Sequence, residues 1–393
     1  MTISRRALVG WGLALPLTSI RAKAASAPQE IKLGQTTAYS GPLSGAGSFK
    51  RVQSAYFDKL SSEGGVNGRK ISLISLDDAY SPPKTVEVTR RLVESDEVFA
   101  TFNSFGTPTQ AAVQRYLNIK KIPQLFVSSG AARFNDPKNA PWSTPGLPDL
   151  QTIGEMYGKF AARAHPGAKI AMLYQNDDFG KDMIKGVRKG LGPENQEMVV
   201  SEMSYEITQP TIDSQIVTLK STGAEVLINL STGRATVQSI KRMNEIGWRP
   251  IQIINGAFGT IYETFRPVGL EICKGIYSSA FVKDPGDPQW ESDPAMRAYF
   301  DFMKKHVPDL EPHNRTGLSS YVFAQIMADV IGQLGDEVTR ENLLKTAISL
   351  DRPNISKLMM PGVHIKTSNE SRNLFSNEVM VQFDGRIWNP VSV

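Results

Sequence analysis

Lys169-Ile-Ala-Met-Leu-Tyr174, Met198-Val-Val-Ser-Glu-Met203, Glu225-Val-Leu-Ile-Asn-Leu230 and Ile251-Gln-Ile-Ile254 are four short runs rich in apolar residues. Each has the length of a strand, not of a helix. Between them lie Lys181–Lys189, Ile212–Ser221 and Ala235–Ile246, whose apolar residues recur at helical spacing. Strands alternating with helices of this size predict a doubly wound parallel sheet with right-handed crossovers. A helix over Asp149–Ala164 precedes the series.

Working outward, the same alternation occurs upstream. Ile31–Gly34, Lys70–Leu76, Val98–Phe102 and Pro123–Val127 read as strands. Residues 48–61, Pro82–Glu94 and Thr109–Leu117 read as helices, the second with proline in its opening turn. Two such series predict an α/β protein of two Rossmann-like lobes. Downstream, Gly275–Val282 reads as a strand. Helices follow at Asp293–Lys305, Leu318–Leu334 and Arg340–Ser349, then extended runs at Val363–Lys366 and Glu378–Phe383. The first lobe needs those late helices, so the chain is expected to cross between lobes three times. The expected lobes are 25–143 with 283–358, and 144–282 with 359–393, the segment 141–148 being a linker.

A chain of 393 residues, 40% hydrophobic, is long enough for two cores. Its net charge of +5 is concentrated at the start. Of the 44 Lys and Arg, Arg5, Arg6, Arg21 and Lys23 lie in the first 24 residues, which hold no acid. The rest carries 40 bases against 39 acids, a balance with no general attraction for nucleic acid. Ser4-Arg5-Arg6, the apolar stretch Ala7–Ile20 and Ala22-Lys23-Ala24 read as a secretory signal cleaved near Ala24, by the general or the twin-arginine route. The expected location is the periplasm.

One cysteine, Cys273, excludes an internal disulfide, and four scattered histidines give no metal-ligand spacing. Neither a P-loop nor a Gly-x-Ser-x-Gly elbow occurs, and Gly45-Ala46-Gly47 lacks the third glycine of a dinucleotide fingerprint. No cofactor, no metal and no catalytic residue is expected. Asp77-Asp78 and Asp177-Asp178 sit at strand ends and read as helix caps.

In open parallel sheets, ligands bind beyond the carboxyl ends of the strands. Loops there are rich in hydroxyl, glycine and aromatic residues: Tyr39 after the first strand, Ser104-Phe105-Gly106-Thr107 after the third, and Ser129-Gly130-Ala131 after the fourth. Their second-lobe counterparts carry Phe179, Arg234, and Ala257-Phe258. Helix-start N–H groups and hydroxyls suit a carboxylate, and the aromatic rings suit an apolar body.

Several of these segments together resemble the leucine/isoleucine/valine-binding proteins and their wider type I periplasmic family. They are Ser40-Gly41-Pro42, Glu63–Gly68 leading to Leu76-Asp77-Asp78-Ala79 and Pro83-Lys84, Thr109-Gln110-Ala111, Phe179-Gly180-Lys181 and Phe383-Asp384-Gly385. Met360-Pro361-Gly362-Val363 with Thr367-Ser368 is similar to a branch assigned to aromatic acids. The resemblance implies two lobes on a three-segment hinge, closing on a small organic acid or amino acid for the permease subunits of an ABC importer in the inner membrane. It implies no catalysis, and a monomer is expected. It places the first-loop aromatic at Tyr39, the carboxylate loops at Ser104–Thr107 and Ser129–Ala132, and a family tyrosine at Phe179. Amino-acid binders of this kind place an acid near Gly256-Ala257-Phe258, where this chain has none. A buried ammonium without a partner is costly, which favours an apolar or aromatic carboxylate, unless Asp178 supplies the charge. A branched-chain amino acid, a ligand-sensing role and a secreted hydrolase stand as alternatives.

Overall fold

The computed structural model describes residues 30–352 and 355–393; the expected signal segment lies outside them. The first sheet holds β1 (Glu30–Thr37), β2 (Lys70–Asp77), β3 (Ala100–Phe102), β4 (Gln124–Val127) and β5 (Ser143–Pro145) in the order β2-β1-β3-β4-β5, every pair parallel. Helices α1 (Ser48–Ser62), α2 (Pro82–Glu94) and α3 (Thr107–Ile119) connect the first four strands. β4 is buried along its length, as expected for a parallel strand covered on both faces.

After α4 (Leu150–Ala164), the second sheet forms from β6 (Ile170–Gln175), β7 (Val199–Tyr205), β8 (Val226–Leu230) and β9 (Ile251–Ile254). α5 (Asp178–Leu191), α6 (Asp213–Ser221) and α7 (Arg234–Glu245) are the crossovers. A π-turn at Ile261–Phe265 and two short helices, α8 (Arg266–Val268) and α9 (Leu270–Cys273), lead to β10 (Tyr277–Ala280). β11 (Val379–Phe383) and β12 (Trp388–Pro390) close the order β12-β11-β10-β9-β8-β6-β7. These last two are antiparallel. The α/β class and two Rossmann-like lobes follow from this alternation, as the sequence predicts.

The late helices α10 (Pro294–His306), α11 (Arg315–Gly332) and α12 (Arg340–Ala347) include two that return to the first sheet. α10 and α11 pack on α1, where Tyr56 meets Phe302 at 6.0 Å and Tyr321 at 5.2 Å between ring centres. Side-chain oxygens fix their starts: Asp293 accepts from Ala295 and Met296 N–H groups, and Asn314 from Gly317.

Two details differ from the sequence reading. The proline-rich linker contains β5, because Ser143 and Pro145 align with Gln124 and Val127 of β4. Val363–Lys366 is not a strand; only isolated bridges join Ile365 to Phe375 and Lys366 to Asp351.

Three chain segments run between the sheets. One follows β5, where the Gly146 N–H donates to Val127 O (2.7 Å) and that of Leu150 to Gly130 O (3.0 Å). The other two run antiparallel, with Lys283 N–H donating to Leu358 O and Met360 N–H to Phe281 O, each 2.9 Å. The expected boundary at 358–359 falls on this pair. Residues beyond it still bond to the first lobe: Thr367 to Leu350, and Arg372 to Asn135, Pro141 and Ser143. Contact with the second sheet resumes at Glu378, which bonds Ser279.

Candidate functional site

The strand ends of both sheets face a narrow central cavity of about 60 Å³. It shares Phe105, Ser128, Leu147, Phe258 and Phe281 with a wider cavity of about 360 Å³ that extends toward Phe49, Arg234 and Arg315.

On the first-lobe side, Phe105, Gly106 and Thr107 lead into α3, and Ser128-Ser129-Gly130 follows β4; all line the central cavity. The Thr107 and Ser129 hydroxyls are 2.6 Å apart and hydrogen-bonded. Gly106 supplies no side-chain cap to α3 and Pro108 has no N–H, so the Thr107 and Thr109 N–H groups are the ones without a side-chain cap. With the helix dipole they form an anion-binding end. Gly130 is demanded by space: a Cβ there would stand 1.8 Å from the Pro148 carbonyl oxygen, in the first crossing.

On the second-lobe side, Phe179, Ala257 and Phe258 line the central cavity. Asp177 accepts from the Phe179 and Gly180 N–H groups and so caps α5, the role expected of it. Arg234 lines the wider cavity and donates to Gln209 O at 3.2 Å.

Three residues expected at the site line neither cavity. The Tyr39 hydroxyl bonds Ser75 and its N–H donates to Asp77 Oδ1 (2.9 Å), which turns the ring to the sheet edge. The Ser104 hydroxyl accepts the Thr36 N–H at 3.1 Å. Ala131 is buried, its N–H donating to Ser129 Oγ at 3.1 Å. Ser104 and Ala131 therefore brace the loops from behind. Asp77 and Asp78 are also not helix caps. Asp77 ties Tyr39, Ala79 and Lys84, and Asp78 ties Tyr80 and Thr85.

Asp178 is taken up elsewhere. It pairs with Arg133 at 2.8 Å in an exposed bridge and does not line the cavities.

The sequence reading missed Tyr80, Leu147, Ile153, Phe281 and Glu378, all lining the central cavity. Tyr80 gets there through a left-handed backbone (φ 58°) in the loop that Asp78 pins. Phe281 arrives on the second crossing, and Glu378 where the chain regains contact with the second sheet. Glu378 is the one carboxyl among the lining residues of the central cavity. One of its oxygens accepts from the Ser279 hydroxyl, which is also bonded to the Tyr157 hydroxyl at 2.6 Å. Burial pushes the Glu378 carboxyl up to about 7, against the opposing pull of the Ser279 bond and of Arg315. Arg315 donates to the Gly256 and Gly259 carbonyls and makes no ion pair with Glu378. Burial likewise pushes the Cys273 thiol up to about 12, as for an unreactive buried thiol. Among the described residues, no group of His, Cys, Asp and Glu is arranged to hold a metal, and no helix is long and apolar enough to cross a membrane.

A family model described as "Periplasmic binding protein" matches residues 30–372. Leu/Ile/Val-binding protein homolog 7 of Brucella abortus (strain 2308) is 26% identical over 332 residues, covering 82% of each chain. A branched-chain amino acid ABC transporter structure from Thermus thermophilus with bound valine superposes with a TM-score of 0.81 at 16% identity, over 93% of this chain and 96% of that one. An ABC transporter solute-binding protein from R. palustris in complex with benzoate superposes with a TM-score of 0.76 at 18% identity, over 92% and 96%.

Proposed function

From the premise that the chain belongs to the periplasmic binding protein family, we propose that it captures a carboxylate with an apolar or aromatic body by closing its two lobes. Its relatives are homologues of Leu/Ile/Val-binding proteins, which supports a solute-binding protein of the ABC-importer type. The partners proposed are the solute and the permease subunits of an importer, with the protein working as a periplasmic monomer.

One observation carries the choice of solute. A single cavity has an uncapped helix start and the Thr107–Ser129 hydroxyl pair at one side, and Phe105, Phe179, Phe258 and Phe281 around the rest. The polar side suits a carboxylate and the rings suit an apolar body. Structural relatives with valine and with benzoate bound are compatible with this class. The three crossings would act as the hinge, and ligand contacts from both lobes would favour the closed form.

A second reading, an amino acid, is supported by Glu378, which offers the ammonium partner that the 256–258 loop lacks. Thermal-shift screening of aromatic carboxylates, branched-chain amino acids and amides separates the two. A saturating ligand at a hundredfold excess over Kd stabilises by about 2.7 kcal/mol. Shifts by aromatic carboxylates support the first reading, and shifts by amino acids alone reject it.

A further inference from the structure

Where the chain regains the second sheet it brings a carboxyl, Glu378, into a cavity that is otherwise aromatic, apolar, hydroxylic and amide-lined. Glu378 also lines a third cavity of about 360 Å³, on the hinge side, shared with Pro148 and Ile153. Its placement is built rather than incidental. A Cβ at position 256 would lie 2.5 Å from both Ser279 oxygens and 3.0 Å from Glu378 Oε2, so the glycine makes room for the pair. Ser279 is hydrogen-bonded to Oε2 on one side and to the Tyr157 hydroxyl on the other. The one hydrogen bond Glu378 makes among the described residues is at Oε2, and Oε1 keeps some accessible surface. A carboxylate oxygen that opens onto the cavities without a protein donor is free to accept a hydrogen bond from a solute.

A second group on the cavity wall lacks a partner: Asn255, next in sequence to the Gly256 that abuts Glu378. Asn255 Oδ1 accepts the Ala257 N–H at 3.0 Å, which fixes the amide's orientation. Its Nδ2 is buried and unbonded, and Asn255 lines the same cavity. An open acceptor and an open donor together match a hydroxyl, which can give one hydrogen bond and take another. An ammonium can only give.

We propose that Glu378 and Asn255 read a hydroxyl on the solute, so that the protein selects hydroxylated carboxylates over their unsubstituted counterparts. This rests on the carboxylate reading above and narrows it. A site built around a hydroxyl rejects an analogue without it, because its own polar groups are left unpaired.

The test is calorimetry on the full chain with benzoate, 3-hydroxybenzoate, 4-hydroxybenzoate, 3,4-dihydroxybenzoate, phenylalanine and leucine, repeated with Glu378→Leu and Glu378→Gln. The wild type is expected to bind at least one hydroxybenzoate about tenfold or more tighter than benzoate. Glu378→Leu should reduce that preference to about threefold or less, and Glu378→Gln, which still accepts, should keep it. Equal binding of benzoate and every hydroxybenzoate by the wild type overturns the proposal while leaving the carboxylate reading standing. A preference unchanged in a folded Glu378→Leu protein also overturns it. Amino acids binding tighter than every benzoate overturn it in favour of an ammonium at Glu378. Binding of none of the six removes the carboxylate reading and this one together.

Discussion

The two sides of the central cavity are held in place differently. The first-lobe side holds its loops by backbone and polar side-chain bonds and adds the rings of Tyr80 and Phe105. Ser104 pins Thr36, Ser129 pins Ala131 and Thr107, and Gln110 donates to the Thr36 hydroxyl at 2.8 Å. The second-lobe side presents rings, Phe179 and Phe258, with a carboxyl delivered from a distant segment. A preorganised polar side costs little reorganisation when it meets a charge. The aromatic side contributes area, on the order of 150–250 Å² for each ring fully covered. On the proposed function, the charge-binding end would be local to two strand ends, and selectivity would be assembled from segments far apart in the chain.

The largest effect should come from Gly130→Ala. The added methyl has no room against Pro148, so the crossing must shift and the loop with it. Overpacking of this kind costs about 1–3 kcal/mol, and here it acts on the site itself. A lowered melting temperature with carboxylate binding lost in calorimetry is expected. Retained affinity would mean that the two sides are not coupled through Pro148.

Phe258→Asp tests the aromatic side. It places a negative charge in the cavity that receives a carboxylate, so affinity should fall by about thirtyfold or more by calorimetry. Unchanged affinity would place Phe258 outside the site.

Glu378 gives a pH signature. Its carboxyl sits at about 7 in the folded protein against an ordinary 4.5. Between those values the folded state holds more protons than the unfolded one, so this residue's contribution makes stability fall as pH rises. The loss is on the order of 3 kcal/mol and levels off above about pH 7. Tyr157, Ser279 and Arg315 surround the group. Melting temperatures at about pH 5 and pH 8 should therefore converge in Glu378→Gln relative to the wild type. An identical pH dependence in both proteins would contradict the enclosed carboxyl.

The smallest effect belongs to Tyr39→Phe. Its hydroxyl serves Ser75, away from the cavities, so affinity should stay within about twofold. A tenfold loss by calorimetry would return Tyr39 to the binding surface.

These differences follow what a linear sequence carries. The strands β6, β8 and β9 were legible because a buried parallel strand needs an unbroken apolar run, and Val226–Leu230 is wholly buried. β5 was hidden because prolines flank Ser143 and Thr144, and its pairing depends on β4 alone. The loops Phe105–Thr107 and Ser129–Gly130 could be found because they follow strands directly. Tyr39 follows a strand too, but Asp77 of the neighbouring strand captures its N–H, a contact spanning 38 positions. Glu378 was invisible for the same reason on a larger scale. It reaches Ser279 across 99 positions, and no local pattern marks it.

Co-crystallisation with the tightest carboxylate from the thermal-shift panel tests the account most directly. Its carboxylate is expected against Thr107 and Ser129 and its body between Phe105 and Phe258, with both lobes in contact. A ligand bound to one lobe only, or away from these residues, would contradict it.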